Sequence, residues 1–316
     1  MIPVFFLVTF ASFALLHVLP GDAADAIISG AEGSMDNPAD VRAAHEALRE
    51  KMGLDRPMVV QYADWLWKLM HGDFGESYVQ SLPVSDLLMQ RLPVTLELVV
   101  LAQSIALLLA VPLGIYSAVH ADKLVDRAIS SVTFAVVATP PFLMAILLVF
   151  LLAIVWRVLP SAGWVPFDEG PLQNLKFYLL PSIVIGVLET PVLLRVLRVD
   201  LIATLQEDYI ALAKAKGLSS RYILFRHALR PSSFTLVTVL GLQFGFLISG
   251  TVIIEQIFSL PGMGKLILEA IDNRDALVLQ GAVTFIALAY VGLNLIVDML
   301  YAVLDPRVGQ RSRSRP

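Results

Sequence analysis

The sequence lacks cysteine and has few charged residues. None of its 316 residues is cysteine, which excludes disulfides, thiolate metal ligands and cysteine nucleophiles. Only 16% of the residues are charged and 57% are apolar, whereas ordinary soluble domains carry about 25% charged residues. The net charge of −4 provides no basic field to attract DNA or RNA. The composition therefore argues against a soluble enzyme, a disordered protein and a nucleic-acid binder.

The missing charges are concentrated in long windows. Five windows of at least 21 residues contain no Lys, Arg, Asp or Glu: 1–21, 98–119, 128–156, 231–254 and 276–297. A sixth, 177–197, is interrupted only by Glu189 and Arg195. A helix needs about 20 apolar residues to cross the hydrocarbon core. The sequence therefore predicts an all-α integral membrane protein with six transmembrane helices.

The first window has an alternative interpretation as a signal peptide, because Ala24-Asp25-Ala26 resembles a cleavage site. No basic region precedes the apolar stretch, as it would in a signal peptide. We therefore interpret residues 1–20 as a retained transmembrane helix.

The distribution of Lys and Arg predicts the orientation. Six spans place both termini on one side, and that side carries thirteen of the 23 basic residues in modest loops and the C-terminal tail. Cytoplasmic loops are enriched in Lys and Arg. We therefore expect a multi-pass membrane protein with both termini in the cytoplasm.

Residues 21–93 form a predicted extracytoplasmic helical insertion between spans 1 and 2, and residues 94–316 hold spans 2–6. Asn37 before Pro38, and Asp55 two residues before Pro57, are typical of helix starts. The aromatic residues of this insertion suit the interface between membrane and water. Two compatible interpretations are a cap on the bilayer surface and a surface that docks a partner or guides a substrate.

A second polar segment, residues 200–231, is here called the Gly217 segment. Glu207 and Asp208 can start a helix that Gly217 ends, and Ser219 can cap a second helix that runs to about Leu229. Pro231 is then expected to open span 5. A solvated linker has no need for two capped helices with apolar faces, so the pattern favours a protein partner in the cytoplasm.

The same segment resembles a known family. Residues 208–218 read DYIALAKAKGL and residues 226–230 read RHALR, which resembles the EAA loop of bacterial ABC importer permeases, in particular the dipeptide, oligopeptide and nickel branch. Further motifs agree in order: LPGD at 19–22, GLDRP at 53–57, GDFG at 72–75, RLPVTLEL at 91–98, EQIFSLPGMG at 255–264 and DMLYAVLDPR at 298–307. The long insertion after span 1 resembles the B-type permease of a pair. Ala211 stands where the general pattern has glutamate, as is usual in this branch, and the family's basic flank before Ile2 is missing.

The resemblance implies a type I ABC importer permease fold and a role in peptide import. It implies a second permease subunit, two ATPase subunits or domains that bind ATP and Mg, an extracytoplasmic substrate-binding protein, membrane lipid and a peptide substrate. The chain itself would be no enzyme and would hold no cofactor. The residues implied to couple the ATPases to transport are Asp208, Tyr209, Leu212, Ala213, Lys214, Ala215, Lys216, Gly217 and Leu218.

Polar residues inside spans are candidates for the transport pathway, because they are costly in lipid. Glu189 is the first candidate: it could meet a peptide's amino group in a water-filled cavity or pair with an arginine of the second subunit. The other candidates are Gln243, Ser249, Thr251 and Glu255. Gly241 and Gly245 predict a close helix contact, within the subunit or with its partner. Prolines at 112, 140, 141, 181 and 191 are either hinges or static kinks.

No catalytic or metal site is apparent in the sequence. Gly264-Lys265 is followed by Leu266, so it is not a P-loop, and the five histidines are scattered. Three alternatives remain: an importer of nickel, glutathione or another small solute, an intramembrane enzyme, and a membrane scaffold. An enzyme would need a Ser/His or Asp/Asp pair at matching depth, which we do not find, and a scaffold would not need the Gly217 segment.

Overall fold

The structure is a computed structural model that describes residues 2–18, 46, 55–77 and 79–304. In these ranges the chain is helical and contains no β-strand. Apart from residue 46, the predicted helix that starts at Asn37 lies outside the described residues, as does the basic C-terminal tail. The first five helices are α1 (Ile2–Val18), α2 (Met58–Met70), α3 (Val84–Val119), α4 (Leu124–Ala138) and α5 (Pro141–Leu148 continued by Val149–Val155).

The remaining helices carry the polar segments that the sequence singled out. They are α6 (Pro171–Leu205), α7 (Asp208–Ala215), α8 (Ser220–Tyr222, Ile223–Ala228 and Leu229–Gly250), α9 (Val252–Phe258), α10 (Met263–Asp272) and α11 (Ala276–Leu304). The all-α prediction is confirmed for the described residues.

Four of these helices, α3, α6, α8 and α11, are long and apolar enough to cross a membrane. The pair α4 and α5 makes a fifth span if it is counted as one. The described part of the first predicted span is α1, which has 17 residues. The fourth span, the least regular in sequence, is the single 35-residue helix α6.

The third predicted span is not one straight helix. Its two halves, α4 and α5, are bent by 106° at Thr139 and Pro140. A proline disfavours helical backbone in the residue before it and cannot donate a backbone hydrogen bond. Because Pro140 precedes Pro141, the helix must stop and restart here. Pro181 and Pro191, by contrast, lie inside the continuous helix α6.

The chain divides into two compact units, which differ from the division by spans predicted from sequence. One unit comprises Met1–Thr95 and Pro261–Val291, and the other comprises Leu96–Leu260 and Gly292–Pro316. In the first unit, the backbone N–H of Met263 donates to Thr95 Oγ1 at 2.8 Å, and Ser77 Oγ donates to Asp275 Oδ2 at 2.5 Å.

The second unit contains the core that supports the Gly217 segment. In this unit, buried residues of α3, α6 and α8 form one apolar cluster: Ala106, Ala110, Leu193, Leu194, Leu197 and Leu236. A second cluster, described next, joins α7 to the same helices.

Candidate functional site

Helix α7 of the Gly217 segment is anchored on one face. Ile210 is fully buried and Ala213 nearly so, and both lie in an apolar cluster with Ala118 of α3, Leu201 of α6 and Ile223 of α8. The resemblance implies a coupling role for Ala213 as well as for Tyr209 and Leu212, but the side chain of Ala213 lies in this cluster. The helix is therefore held by the body of its own unit.

The turn after α7 depends on Gly217. Its φ of +77° is in the left-handed region that favours glycine. The Gly217 N–H donates to the Lys214 carbonyl at 3.0 Å and the Leu218 N–H donates to the Ala213 carbonyl at 3.3 Å, which satisfies the end of α7. Ser219 then caps the next helix, because its Oγ accepts a hydrogen bond from the Tyr222 N–H.

Several apolar and aromatic side chains of the Gly217 segment are exposed, and together they are here called its exposed apolar face. Leu212 is 56% exposed and Phe225 60% exposed, and Tyr209, Leu218 and Tyr222 are also exposed. Partial burial raises the pKa of the Tyr209 hydroxyl, with a smaller contribution from Glu207. Tyr222 and Phe225 were not among the predicted site residues, although their spacing of three along a helix could have indicated them.

The exposed surface of this segment also includes four other predicted residues. Asp208, Lys214, Ala215 and Lys216 are all exposed. The exposed face thus combines apolar side chains with a carboxylate and two ammonium groups, a mixture typical of a protein-docking surface.

The second helix of the segment was predicted to end at about Leu229, but in the structure it does not. α8 continues through Pro231 to Gly250, and residues Ile223–Ala228 form a wider π-helical turn. Proline in a helix clashes with the carbonyl four residues before it, here that of His227. A π turn at this point shifts the backbone hydrogen bonds from their regular pattern and so accommodates the proline. The segment and span 5 are therefore one continuous helix.

Two of the predicted pathway residues are brought together. The side chain of Glu189 on α6 lies close to that of Gln243 on α8. Glu189 is half-buried, and Gln243 Oε1 is buried without a hydrogen-bond partner in the described part of the chain. The pair therefore places one carboxylate and one open acceptor between two spans.

The remaining pathway candidates lie in a different place on the chain. Thr251 Oγ1 donates to Glu255 Oε1 at 2.8 Å, and Glu255 is fully buried. The side chain of Ser249 lies outside the described part. A further carboxyl group, that of Glu97 on α3, lies close to the side chains of Asn174 and Tyr178 on α6.

A further polar residue that the sequence did not indicate is Gln103 of α3. It lines a cavity of about 370 Å³ together with residues of α8 and Val297 of α11. Both of its amide atoms are buried without a partner among the described residues. Within the same unit, Gly241 lies so close to Val297 that a Cβ would collide with it, so at Gly241 the close helix contact is within the subunit.

No metal centre is present in the described ranges, where no three His, Cys, Asp or Glu side chains group closely enough to hold an ion.

Comparison with known proteins adds the family to this geometry. The family described as "Binding-protein-dependent transport system inner membrane component" matches residues 110–310, and its N-terminal counterpart matches residues 1–99. A putative peptide transport system permease protein of Brucella abortus is 39% identical, and the alignment covers 97% of this chain and 95% of that protein. The dipeptide transport system permease protein DppB of Escherichia coli is 33% identical over the same shares.

A solved structure of an amino acid ABC transporter with histidines aligns over 71% of this chain and 94% of its own, with 16% identity and a TM-score of 0.47, too distant to support a conclusion here. The family match and the near full-length relatives do support one. The chain belongs to the binding-protein-dependent transport system inner membrane components, the ABC importer permeases, as its sequence motifs predicted.

Proposed function

We propose that this chain is one of two permease subunits of an ATP-driven importer that moves di- or oligopeptides across the cytoplasmic membrane. The observation that carries the proposal is the exposed apolar face of the Gly217 segment, which includes Leu212, in a segment whose residues Ile210 and Ala213 are anchored in the chain's own core. The peptide substrate is supported by relatives at 33–39% identity whose names specify peptide or dipeptide transport.

The Gly217 segment would transmit movement from two ATPase subunits or domains. Its outer face would seat in a groove of an ATPase, which binds ATP and Mg, while this chain hydrolyses no ATP. Ile210 and Ala213 pack against residues of α3, α6 and α8. A displacement of α7 would therefore displace these helices as well. Rigid-body movement of packed elements is a common way to switch between two states.

In this arrangement the Gly217 segment and both termini face the cytoplasm. Residues 21–93 face outward, where a substrate-binding protein delivers its cargo. The second permease subunit supplies the other half of the pathway.

The pair of Glu189 and Gln243 is our candidate for solute contact in the pathway. A carboxylate attracts the ammonium group of a peptide, and the open acceptor at Gln243 Oε1 can receive a second N–H. The alternative, in which Glu189 pairs with an arginine of the second subunit, predicts no dependence on the charge of the solute. Thr251 and Glu255 are secondary candidates.

The test is transport by the assembled complex. The chain, its partner permease, the ATPases and the binding protein are co-expressed and reconstituted in proteoliposomes, and ATP-dependent uptake of radiolabelled dialanine is measured. We expect uptake that unlabelled dipeptides and tripeptides compete away and that free alanine, Ni²⁺ and glutathione do not. Uptake of Ni²⁺ or glutathione in place of dialanine would replace the peptide assignment with one of the alternatives.

A further inference from the structure

A buried ionic junction joins three helices of the second unit. Arg198 of α6 donates to Asp126 of α4 through both Nε and Nη2, at 2.8 and 2.6 Å. Arg198 Nε also donates to Ser117 Oγ of α3 at 3.2 Å, and Ser117 Oγ in turn donates to Asp126 Oδ1. The carboxylate is thus bound from α3 and α6 at once.

Asp126 also fixes the turn between α3 and α4. The backbone N–H of Asp122 donates to Asp126 Oδ2 at 2.9 Å, and Asp122 itself has a φ of +65°. The Asp126 side chain is only 4% exposed, whereas that of Arg198 is 24% exposed. Nearly all acceptor positions of this carboxylate are occupied, so its orientation is fixed.

The residues of the junction are close in sequence to residues of the apolar cluster that holds the Gly217 segment. Ser117 is followed by Ala118, and Leu201 lies about one helical turn after Arg198. Ala118 and Leu201 belong to the apolar cluster that encloses Ile210 and Ala213 of α7. The ends of α3 and α6 that contact α7 are therefore the ends that the ion pair fastens to α4.

The chemistry of the junction favours a role in geometry over one in stability. A buried ion pair gains little net stability compared with apolar side chains of the same volume, because both charges lose their hydration. A bidentate arginine–carboxylate pair, however, specifies distance and angle. Asp126 is the one buried residue of α4. The partly buried Ile129 packs against the apolar cluster, and the Phe134 ring lies 5.4 Å from the guanidinium carbon of Arg195, so the ion pair adds a buried, directional contact with α6 to these attachments.

We propose that the junction of Arg198, Asp126 and Ser117 is the joint that makes α3, α4 and α6 move together when the Gly217 segment is displaced. Arg198 and Asp126 are positioning residues, and this inference rests on the proposed function of that segment. Without the joint, α7 can still bind its partner, but its displacement is carried to α3 and α6 without α4.

The test measures coupling separately from assembly. Arg198→Met, Asp126→Asn, the double variant and Arg198→Lys are reconstituted in the complete complex. For each we measure the ATPase co-purified with the chain, the stimulation of ATP hydrolysis by the ligand-loaded binding protein, and dialanine transported per ATP hydrolysed. We expect normal co-purification and a loss of about tenfold in stimulation and in transport per ATP for both single variants, within the range of coupling free energies.

Two variants make the result specific. The double variant should be no worse than either single variant, since both remove one shared interaction, and Arg198→Lys should recover part of the coupling because it keeps the charge. The matched control is Arg91→Met, which removes the ion pair with Glu269 at 3.2 Å in the other unit and should leave transport per ATP unchanged.

Unchanged stimulation in both single variants overturns the inference. Loss of co-purified ATPase in Arg198→Lys as well as in Arg198→Met also overturns it, because the pair then serves folding alone. If the wild-type complex does not transport dialanine, the peptide assignment fails, and stimulation of ATP hydrolysis by the binding protein decides the role of the junction by itself.

Discussion

The Gly217 segment and the pair of Glu189 and Gln243 reverse the usual distribution of polarity in opposite ways. The Gly217 segment lies outside the predicted spans and exposes Leu212 and Phe225, whereas the pair lies between two spans and buries a carboxamide oxygen without a partner in the described part of the chain. Exposed apolar patches and buried polar groups are both costly unless something complements them. The first calls for an apolar protein surface and the second for a polar solute or water.

The largest effect is expected from a substitution in the exposed apolar face of the Gly217 segment. Leu212→Asp places a charge on the exposed apolar face and should weaken ATPase association by about 2 kcal/mol, or roughly 30-fold, as for an interface hot spot. Co-purification of the ATPases measures it. The control is Leu172→Asp, which changes a residue that is 79% exposed at the start of α6 and should retain the ATPases. Equal loss in both variants would contradict the assignment of the docking face.

A smaller effect is expected from substitutions in the pair of Glu189 and Gln243. Glu189→Gln keeps the size and polarity of the side chain but removes the charge. We expect ATPase association to be unchanged and dialanine uptake to fall about tenfold, which corresponds to about 1.4 kcal/mol of lost interaction with the peptide ammonium. Gln243→Leu, which keeps the charge, should reduce uptake less. If Glu189→Gln transports normally, the pair has a packing role only.

The smallest effect concerns the turn at Gly217. A Cβ at this position meets no atom within 4 Å, so Gly217→Ala adds only backbone strain, about 1 kcal/mol for an L-residue at positive φ. Gly72 provides a matched control, with φ of +80° and no atom within 4 Å of a Cβ. Both variants should lower the Tm similarly, whereas only Gly217→Ala should reduce ATPase co-purification, by a few-fold. A reduction of the same size in Gly72→Ala would show that the effect is one of stability.

The Gly217 segment shows how far sequence reasoning reached. Glycine at the turn and serine at the cap were predicted because both roles are local and depend on backbone conformation. The face of α7 was only partly predicted: Ala213 was grouped with Leu212, but it is buried, because an eight-residue helix presents too few turns for periodicity to separate its two sides. The continuation of α8 through Pro231 was missed, because a proline predicts a helix boundary unless a π turn accommodates it.

The pathway and junction residues show the opposite limit. Glu189 and Gln243 were each singled out because polar groups are costly in lipid, yet the two residues are 54 positions apart and only the fold brings their side chains together. The third span was predicted from its lack of charge, but its bend of 106° was only one of several possible consequences of Pro140-Pro141. Arg198 was counted only as a basic residue of a loop and Asp126 was not considered, because nothing in their spacing indicates that they meet.

The sequence by itself determined that this protein is a helical membrane protein of the ABC importer permeases, because charge-free windows and ordered motifs are local properties of the chain. It also determined the turn at Gly217. Only the tertiary structure decided which side of α7 is anchored, that Glu189 pairs with Gln243 and that Arg198 joins three helices through Asp126. Those facts depend on how distant helices are brought together, since a side chain is buried, paired or exposed only in relation to its neighbours.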